Sequence, residues 1–264
     1  MRRNLLLLFA ILLVLKSQAI EPPGFPNAIN SALGNAGITH HNFWSALNYS
    51  QNLAYQEKFM IGSSYQNKFG VKELKTVTIG AVIPLENSGL GIGISQFGFS
   101  EYKETNLHLG YGKSLSEVLS IGVGLNYFKL SQAGINQNLI YAEIGISYKI
   151  NNELTFGIHL SNPNLIQTKD SILSERYQVG FGYQVQKNIH LYADVSYNSK
   201  DQAQVHTGLE ILRKDFAIRM GYSSLSNQLS FGFGYQRKNL VIGFSTSLHQ
   251  DLGFSPTISL AYAL

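Results

Sequence analysis

The chain has no cysteine. Disulfides, thiolate nucleophiles and cysteine-based metal sites are therefore excluded, and so is a lipid anchor on an N-terminal cysteine. Charge is also scarce. Asp, Glu, Lys and Arg make up 14% of the residues, against about 25% in ordinary soluble domains. Three Met, six Pro and one Trp complete what is in short supply. Past Leu15 no apolar run approaches the roughly 18 residues that a spanning helix needs. Gly (25), Tyr (15) and Phe (15) are abundant instead.

The first residues have their own pattern. Arg2 and Arg3 precede an unbroken apolar run from Leu5 to Leu15, followed by Lys16, Ser17, Gln18 and Ala19. A basic start, a short apolar centre and small residues before the cut describe a secretory signal peptide, with cleavage expected after Ala19. Removing Arg2, Arg3 and Lys16 leaves 17 Lys and Arg against 16 Asp and Glu. A nearly neutral mature chain gives no reason to expect a nucleic-acid partner.

From Lys58 onward the apolar residues alternate with small or polar ones. Ile140, Ala142, Ile144, Ile146, Tyr148 and Ile150 interleave with Tyr141, Glu143, Gly145, Ser147 and Lys149. Leu229, Phe231, Phe233 and Tyr235 interleave with Ser230, Gly232, Gly234 and Gln236. A period of two is the mark of a strand with two unlike faces. Strands are expected near 58–66, 74–83, 88–97, 103–112, 117–130, 137–150, 153–161, 175–186, 189–198, 203–212, 215–224, 227–236, 239–248 and 256–264.

That count is even, and the even-numbered connections are short while the odd ones are mostly longer, the longest running from Asn162 to Ser174. Both features belong to outer-membrane barrels, whose strands need about 9–11 residues each. The fold class expected is all-β, a transmembrane antiparallel β-barrel of about 14 strands. A secreted sandwich or solenoid also alternates, but it would expose more charge and need not alternate its loop lengths.

A ring this wide is not filled by its own side chains, since about eight strands is the filled size. The bulky apolar face should therefore meet lipid and the small face should point inward. The inward face is rich in glycine: Gly89, Gly91 and Gly93 on one strand, and the pairs Gly122/Gly124, Gly180/Gly182 and Gly232/Gly234 on others. Glycine in a strand often marks a close approach. The candidate occupant is Ile20–Glu57, which lacks clean alternation and carries Pro22, Pro23, Pro26 and Trp44. The domains expected are thus a signal peptide at 1–19, an N-terminal periplasmic or plug segment at 20–57, and a barrel at 58–264. Tyr65, Phe97, Tyr127, Tyr148, Tyr197, Tyr222 and Tyr235 fall near strand ends, as interfacial girdles do.

Gly34–Asn35–Ala36–Gly37, Asn48–Tyr49–Ser50–Gln51–Asn52–Leu53–Ala54, Gly91–Ile92–Gly93–Ile94–Ser95 and Tyr111–Gly112–Lys113–Ser114–Leu115–Ser116 carry a resemblance. The chain resembles the PorV/PorQ-like proteins of Bacteroidetes, relatives of the FadL-type fatty-acid transporters. Asn48, Leu53 and Ala54 match an Asn-Pro-Ala-Gly-Leu-Ala-like plug motif of that family, whose proline and glycine this chain lacks. The resemblance implies a fourteen-stranded barrel with one of two roles, passage of hydrophobic molecules or an accessory part in type IX secretion. It implies outer-membrane lipid as a partner, with secretion-system or cell-surface proteins as further ones. The C-terminal Leu264 replaces the aromatic residue with which many such barrels end.

Candidate chemistry is sparse. His108, His159, His190 and His206 fall on the inward face by parity, and no Gly-x-Ser-x-Gly elbow accompanies them. A lipid-modifying enzyme would need a serine held by one of these histidines. His40–His41 lacks the spacing and further ligands of a metal site, and no cofactor is expected. The polar cluster expected is lumenal. Pairing back from a turn at Arg213–Lys214 sets Gly208 opposite Arg219, with Glu210 on the diagonal and Asp194 near Gly208. Cross-strand neighbours lie about 5 Å apart and diagonals about 7–8 Å, so Asp194, Glu210 and Arg219 would share one charge network with His206 close by. Three functions remain open: a non-enzymatic PorV/PorQ-type barrel, a FadL-like channel for small hydrophobic molecules, and a lipid-modifying enzyme.

Overall fold

The structure, a computed structural model, describes residues 22–163, 173–198, 203–224 and 227–264. The expected signal peptide and most of the Asn162–Ser174 connection lie outside these residues. Fourteen strands form one closed antiparallel ring. They are β1 (Met60–Asn67), β2 (Lys75–Leu85), β3 (Ser88–Gly98), β4 (Tyr102–Ser114), β5 (Leu119–Gln132), β6 (Ile135–Lys149) and β7 (Leu154–Ser161). The ring continues with β8 (Arg176–Gln186), β9 (Ile189–Asn198), β10 (Gln204–Arg213), β11 (Phe216–Ser223), β12 (Gln228–Arg237), β13 (Leu240–His249) and β14 (Gly253–Ala263). Each strand pairs with its sequence neighbours, and β1 closes the ring on β14 from Met60↔Ala263 to Gln66↔Thr257. Closure gives every strand a partner on both sides, which is what a sheet in hydrocarbon requires.

The outward face of every strand is apolar. On β5 it is Ile121, Val123, Leu125 and Tyr127, and on β6 Ile140, Ile144, Ile146 and Tyr148, all exposed. An exposed apolar band around the whole ring far exceeds the patch a soluble monomer tolerates, so the ring sits in a bilayer. Among the described residues no helix is long and apolar enough to cross one. Tyr65, Tyr127, Tyr148, Tyr197, Tyr222 and Tyr235 lie on the outward parity. Phe97 does not: it shares the inward parity of Gly93 and Ser95, and its ring stands 6.3 Å from that of Tyr102.

Two strands run further than their prolines suggest. β2 continues through Pro84 to Leu85, and β14 begins at Gly253 and passes through Pro256 rather than starting there. Both prolines lie beyond the last residue paired to β1, which is Val82 on one side and Thr257 on the other. The ladder on that side has already ended, so the missing N–H costs no bond there. The tight turns Glu86–Asn87, Lys187–Asn188, Lys214–Asp215 and Lys238–Asn239 share one end of the barrel with Met60 and Ala263. We call this the turn end and the opposite rim the loop end.

Pro22–Tyr55 lies inside the ring. It starts at the loop-end half, where Asn106 of β4 donates to the Pro23 carbonyl at 3.2 Å. It leaves at the turn end, where Tyr55 meets Ser120 of β5 at 3.0 Å. Between them stand the short helices α1 (Ala28–Ala32) and α2 (Phe43–Asn48) and a 3₁₀ turn, Ser50–Tyr55. Each helix starts on an asparagine cap: Asn27 Oδ1 accepts from Asn30 N at 2.9 Å, and Asn42 Oδ1 from Trp44 N at 2.8 Å. Leu33, Ile38, Leu47 and Leu53 are fully buried and Trp44 is 1% exposed. Each such side chain contributes roughly 1.5–3 kcal/mol, so the segment is held by its own apolar core against the wall.

The wall makes room by having no side chains there. A Cβ on Gly122 of β5 would stand 2.0 Å from the backbone nitrogen of Gln51, and one on Gly221 of β11 2.1 Å from that of Gly34. Backbone meets backbone at both places, and neither partner can swing aside.

Candidate functional site: the lumen and its inner segment

Two polar clusters face the inner segment from opposite sides of the wall. The first is centred on Glu210 of β10. Its Oε1 accepts from Arg219 Nε and Nη2, each at 2.7 Å, and lies 3.3 Å from His40 Nε2 of the inner segment. Its Oε2 accepts from the Tyr192 hydroxyl at 3.4 Å, and His190 Nδ1 stands 3.9 Å away. The side chains of Glu210 and Arg219 are 4% and 8% exposed, so the pair is largely buried and each charge depends on the other.

Glu143 of β6 anchors the second cluster. Ser50 of the inner segment donates to its Oε1 at 2.7 Å, Asn126 of β5 lies 3.4 Å from its Oε2, and His159 Nε2 of β7 stands at 3.8 Å. His108 of β4 joins through Asn126 at 3.1 Å and packs at a tilt against Phe25 with centroids 5.6 Å apart. Beside this cluster is a cavity of about 40 Å³, lined by Phe25, Leu47, Tyr141, Glu143, His159 and Arg176 among others. On its loop-end side Phe128, Leu130, Tyr141 and Leu173 form an apolar group with Tyr102 and Leu139 packed against it. Among the described residues the β6–β7 ladder stops at Glu143↔Ser161, followed by one bond from Asn162 N to the Ala142 carbonyl at 2.9 Å, and Ile135–Tyr141 pair only with β5. The break in the wall and the cavity sit at the same height.

The polar residues expected from the sequence are all lumenal, but they do not form one network. Glu210 stands directly opposite Arg219, and Gly208 opposite Gly221 rather than Arg219. Arg213 pairs with Phe216, so the turn is Lys214–Asp215, and this slides the register by two. Asp194 of β9 stands opposite His206 with Gly208 on the diagonal, and it serves the inner segment. Its Oδ2 accepts from Gly37 N at 2.8 Å, Ile38 N at 3.1 Å and Gln178 Nε2 at 3.1 Å.

His206 Nδ1 meets the Gly34 carbonyl at 2.9 Å and its Nε2 meets Ser196 Oγ at 3.2 Å. That is the serine–histidine contact an enzyme would need. Here, however, the ring nitrogen that would face a carboxylate holds a backbone carbonyl of the inner segment. Asn48 bonds both main-chain groups of Phe25, at 2.8 and 3.1 Å, and Leu53 fills the space over Gly89 and Gly91, while Ala54 is half-buried. His40 and His41 diverge, the first to Glu210 and the second stacking on Tyr55 at 3.9 Å. Among the described residues no group of acidic and histidine side chains could hold a metal ion.

No protein-family model matches the sequence, and no curated protein matches it. Solved structures do match. The CymD monoaromatic hydrocarbon channel superposes with a TM-score of 0.72 at 12% identity, over 91% of this chain and 98% of that one. The Pseudomonas putida toluene transporter TodX gives 0.70 at 10% identity, over 92% and 98%. A Pseudomonas aeruginosa FadL homologue gives 0.69 at 10% identity, over 93% and 100%. The fold is that of the FadL-type barrels. None of these three is described as a secretion component, so they do not bear on the type IX role that the sequence resemblance implies.

Within this barrel, the Glu143 cluster is what reasoning from the sequence missed. His108 and His159 were assigned inward, and Glu143 shares that parity. The missing signal was a carboxylate among glycine and serine on the strand between them. Asp194 supplies a direct test of how the segment is held. Asp194→Ala leaves the Gly37 and Ile38 amides buried without acceptors, a cost of about 1–3 kcal/mol. Hydrogen exchange at those two amides should accelerate by one to two orders of magnitude while β9 stays protected. Unchanged exchange at both would show that the carboxylate does not hold the segment.

Proposed function

We propose that this chain is a non-enzymatic outer-membrane conduit for small hydrophobic molecules, with Pro22–Tyr55 as its internal stopper. The single observation that carries the reading is the coincidence of three features at one height. There the β6–β7 ladder breaks, the apolar group around Phe128 and Tyr141 lines the wall, and the cavity meets the inner segment. Between the loop end and that cavity stands this buried apolar group, so an apolar molecule would travel through greasy contacts rather than water. At about 40 Å³ the cavity has room for a few waters only, so passage requires the segment to shift. The matched channel and transporter structures, described by monoaromatic hydrocarbons and toluene, support the same reading by analogy of fold.

In this reading residues 1–19 are an export signal, the turn end faces the periplasm and the loop end the outside, as short turns and long loops are arranged in such barrels. The test uses toluene. Cells lacking their own hydrocarbon channel and expressing the full chain should take up labelled toluene several-fold faster than cells with an empty vector. Leu139→Asp, which places a charge in the apolar group, should abolish the gain. Equal uptake with and without a folded barrel, judged by heat-dependent gel migration, overturns the reading.

A further inference from the structure

A second cavity lies at the turn-end rim of the barrel. It is a cavity of about 350 Å³ at the turn end between β10 and β13, within the roughly 300–1,000 Å³ typical of small-molecule sites. Leu212, Ala217 and Val241 line it from the lumen and Phe216 and Tyr235 from the outward face, with Gln236, Arg219, Lys214 and Lys238 as its polar lining. Arg219 is bound to Glu210 along one edge only, through Nε and Nη2. A Cβ on Gly234 would come within 2.5 Å of Nη1, and Gly234 lines the chamber, so the other edge of the guanidinium is turned that way.

The two lysines are in unusual places. Each is the first residue of a two-residue turn and has positive φ, 54° for Lys214 and 53° for Lys238. Such positions are dominated by Gly, Asn and Asp, because a side chain with a Cβ is strained there. Two neighbouring hairpins both accept that strain and both carry an ammonium group on the rim of one chamber. Local rules broken without a local gain point to function. Asp215, the acid at the rim, lies 3.9 Å from exposed Arg237, so the cationic character of the chamber mouth survives.

We propose that this turn-end chamber binds a small organic anion, a carboxylate on a compact apolar body. The apolar wall takes the body, the Arg219 edge and the two lysines take the carboxylate, and planar guanidinium suits that geometry. The site is separate from the loop-end cavity and does not depend on passage through the barrel.

The experiment is titration calorimetry on the full chain in detergent, with benzoate, its neutral isostere benzamide, and inorganic phosphate as probes. Benzoate should bind, benzamide at least tenfold more weakly, and phosphate should compete poorly because it has no apolar body. Lys214→Asn combined with Lys238→Asn should lower benzoate affinity by about tenfold, two partly exposed ion pairs at ordinary strength. Asn suits positive φ better than Lys, so this variant should fold at least as well, and heat-dependent migration checks that it does. Equal binding of benzoate and benzamide, full competition by phosphate, unchanged affinity in the double variant, or no benzoate binding at all each overturns the proposal.

Discussion

Gly122→Val should expel the inner segment and leave the ring closed. Valine is a better strand former than glycine, so in an empty barrel the substitution would be neutral or stabilising. Here its Cβ would stand 2.0 Å from the Gln51 nitrogen and 2.2 Å from the Ser50 carbonyl carbon. Inserting even one methylene into a packed site costs about 1–3 kcal/mol when side chains can adjust. Backbone atoms cannot rotate away, so the 3₁₀ turn must leave the wall. With it goes the seat of Leu53 over Gly89 and Gly91 and the bond from Ser50 to Glu143. The expected result is rapid protease cleavage between residues 24 and 57 in a protein that still migrates as a folded barrel when unheated. A Gly122→Val chain whose segment stays as resistant as the parent's would falsify the close approach.

The second large effect is expected at Glu210. Glu210→Ala leaves Arg219 buried at 8% side-chain exposure with no counter-charge, and also removes the acceptor of His40 and Tyr192. Breaking a buried pair in this way costs about 3–5 kcal/mol. Arg219→Ala should cost a similar amount by stranding Glu210. The double variant should cost clearly less than the sum, because no uncompensated charge is left. Urea unfolding from lipid vesicles for the four members of the cycle measures the coupling. Strict additivity would mean that the two side chains do not sense one another.

These expectations rest on features that were unequally legible in the sequence. The strands were plain, because an alternating face such as Ile140 to Ile150 admits one period only, and thirteen of the fourteen starts fall within two residues of those expected. β14 was cut short at Pro256, since proline reads as a boundary unless one knows that β1 has already ended alongside it. Register was harder. The run Arg213–Lys214–Asp215 contains no glycine or asparagine to mark the turn, and choosing Arg213–Lys214 displaced Gly208, Glu210 and Arg219 by two. That slip preserved the inward parity of each residue, which is why the cluster was found in the lumen but wired incorrectly.

The inner segment was hardest to read in detail. Its helices have five and six residues, too short for a period of 3.6 to emerge, and their stability comes from the wall rather than from their own sequence. What the sequence did display was the reciprocal feature, glycines on the inward side at Gly91, Gly122, Gly180 and Gly232. Asp194, Asn48 and Ser50 gain their roles only when strand and segment are brought together. The alternation itself carried the strand number, the resemblance to PorV/PorQ-like proteins left the role open, and the loop-end cavity is what favours the conduit reading.

The strand that seals the cylinder is also the one tied to its contents. Only a short linker separates Tyr55, lodged among Ser120 and Ser147, from Met60, which pairs with Ala263. A cylinder sealed early would have to swallow Trp44 and its neighbours past a finished rim. Stowing the cargo before the last seam is stitched avoids that passage, and a variant unable to stow it should seal as a hollow tube with its leader left hanging at the rim.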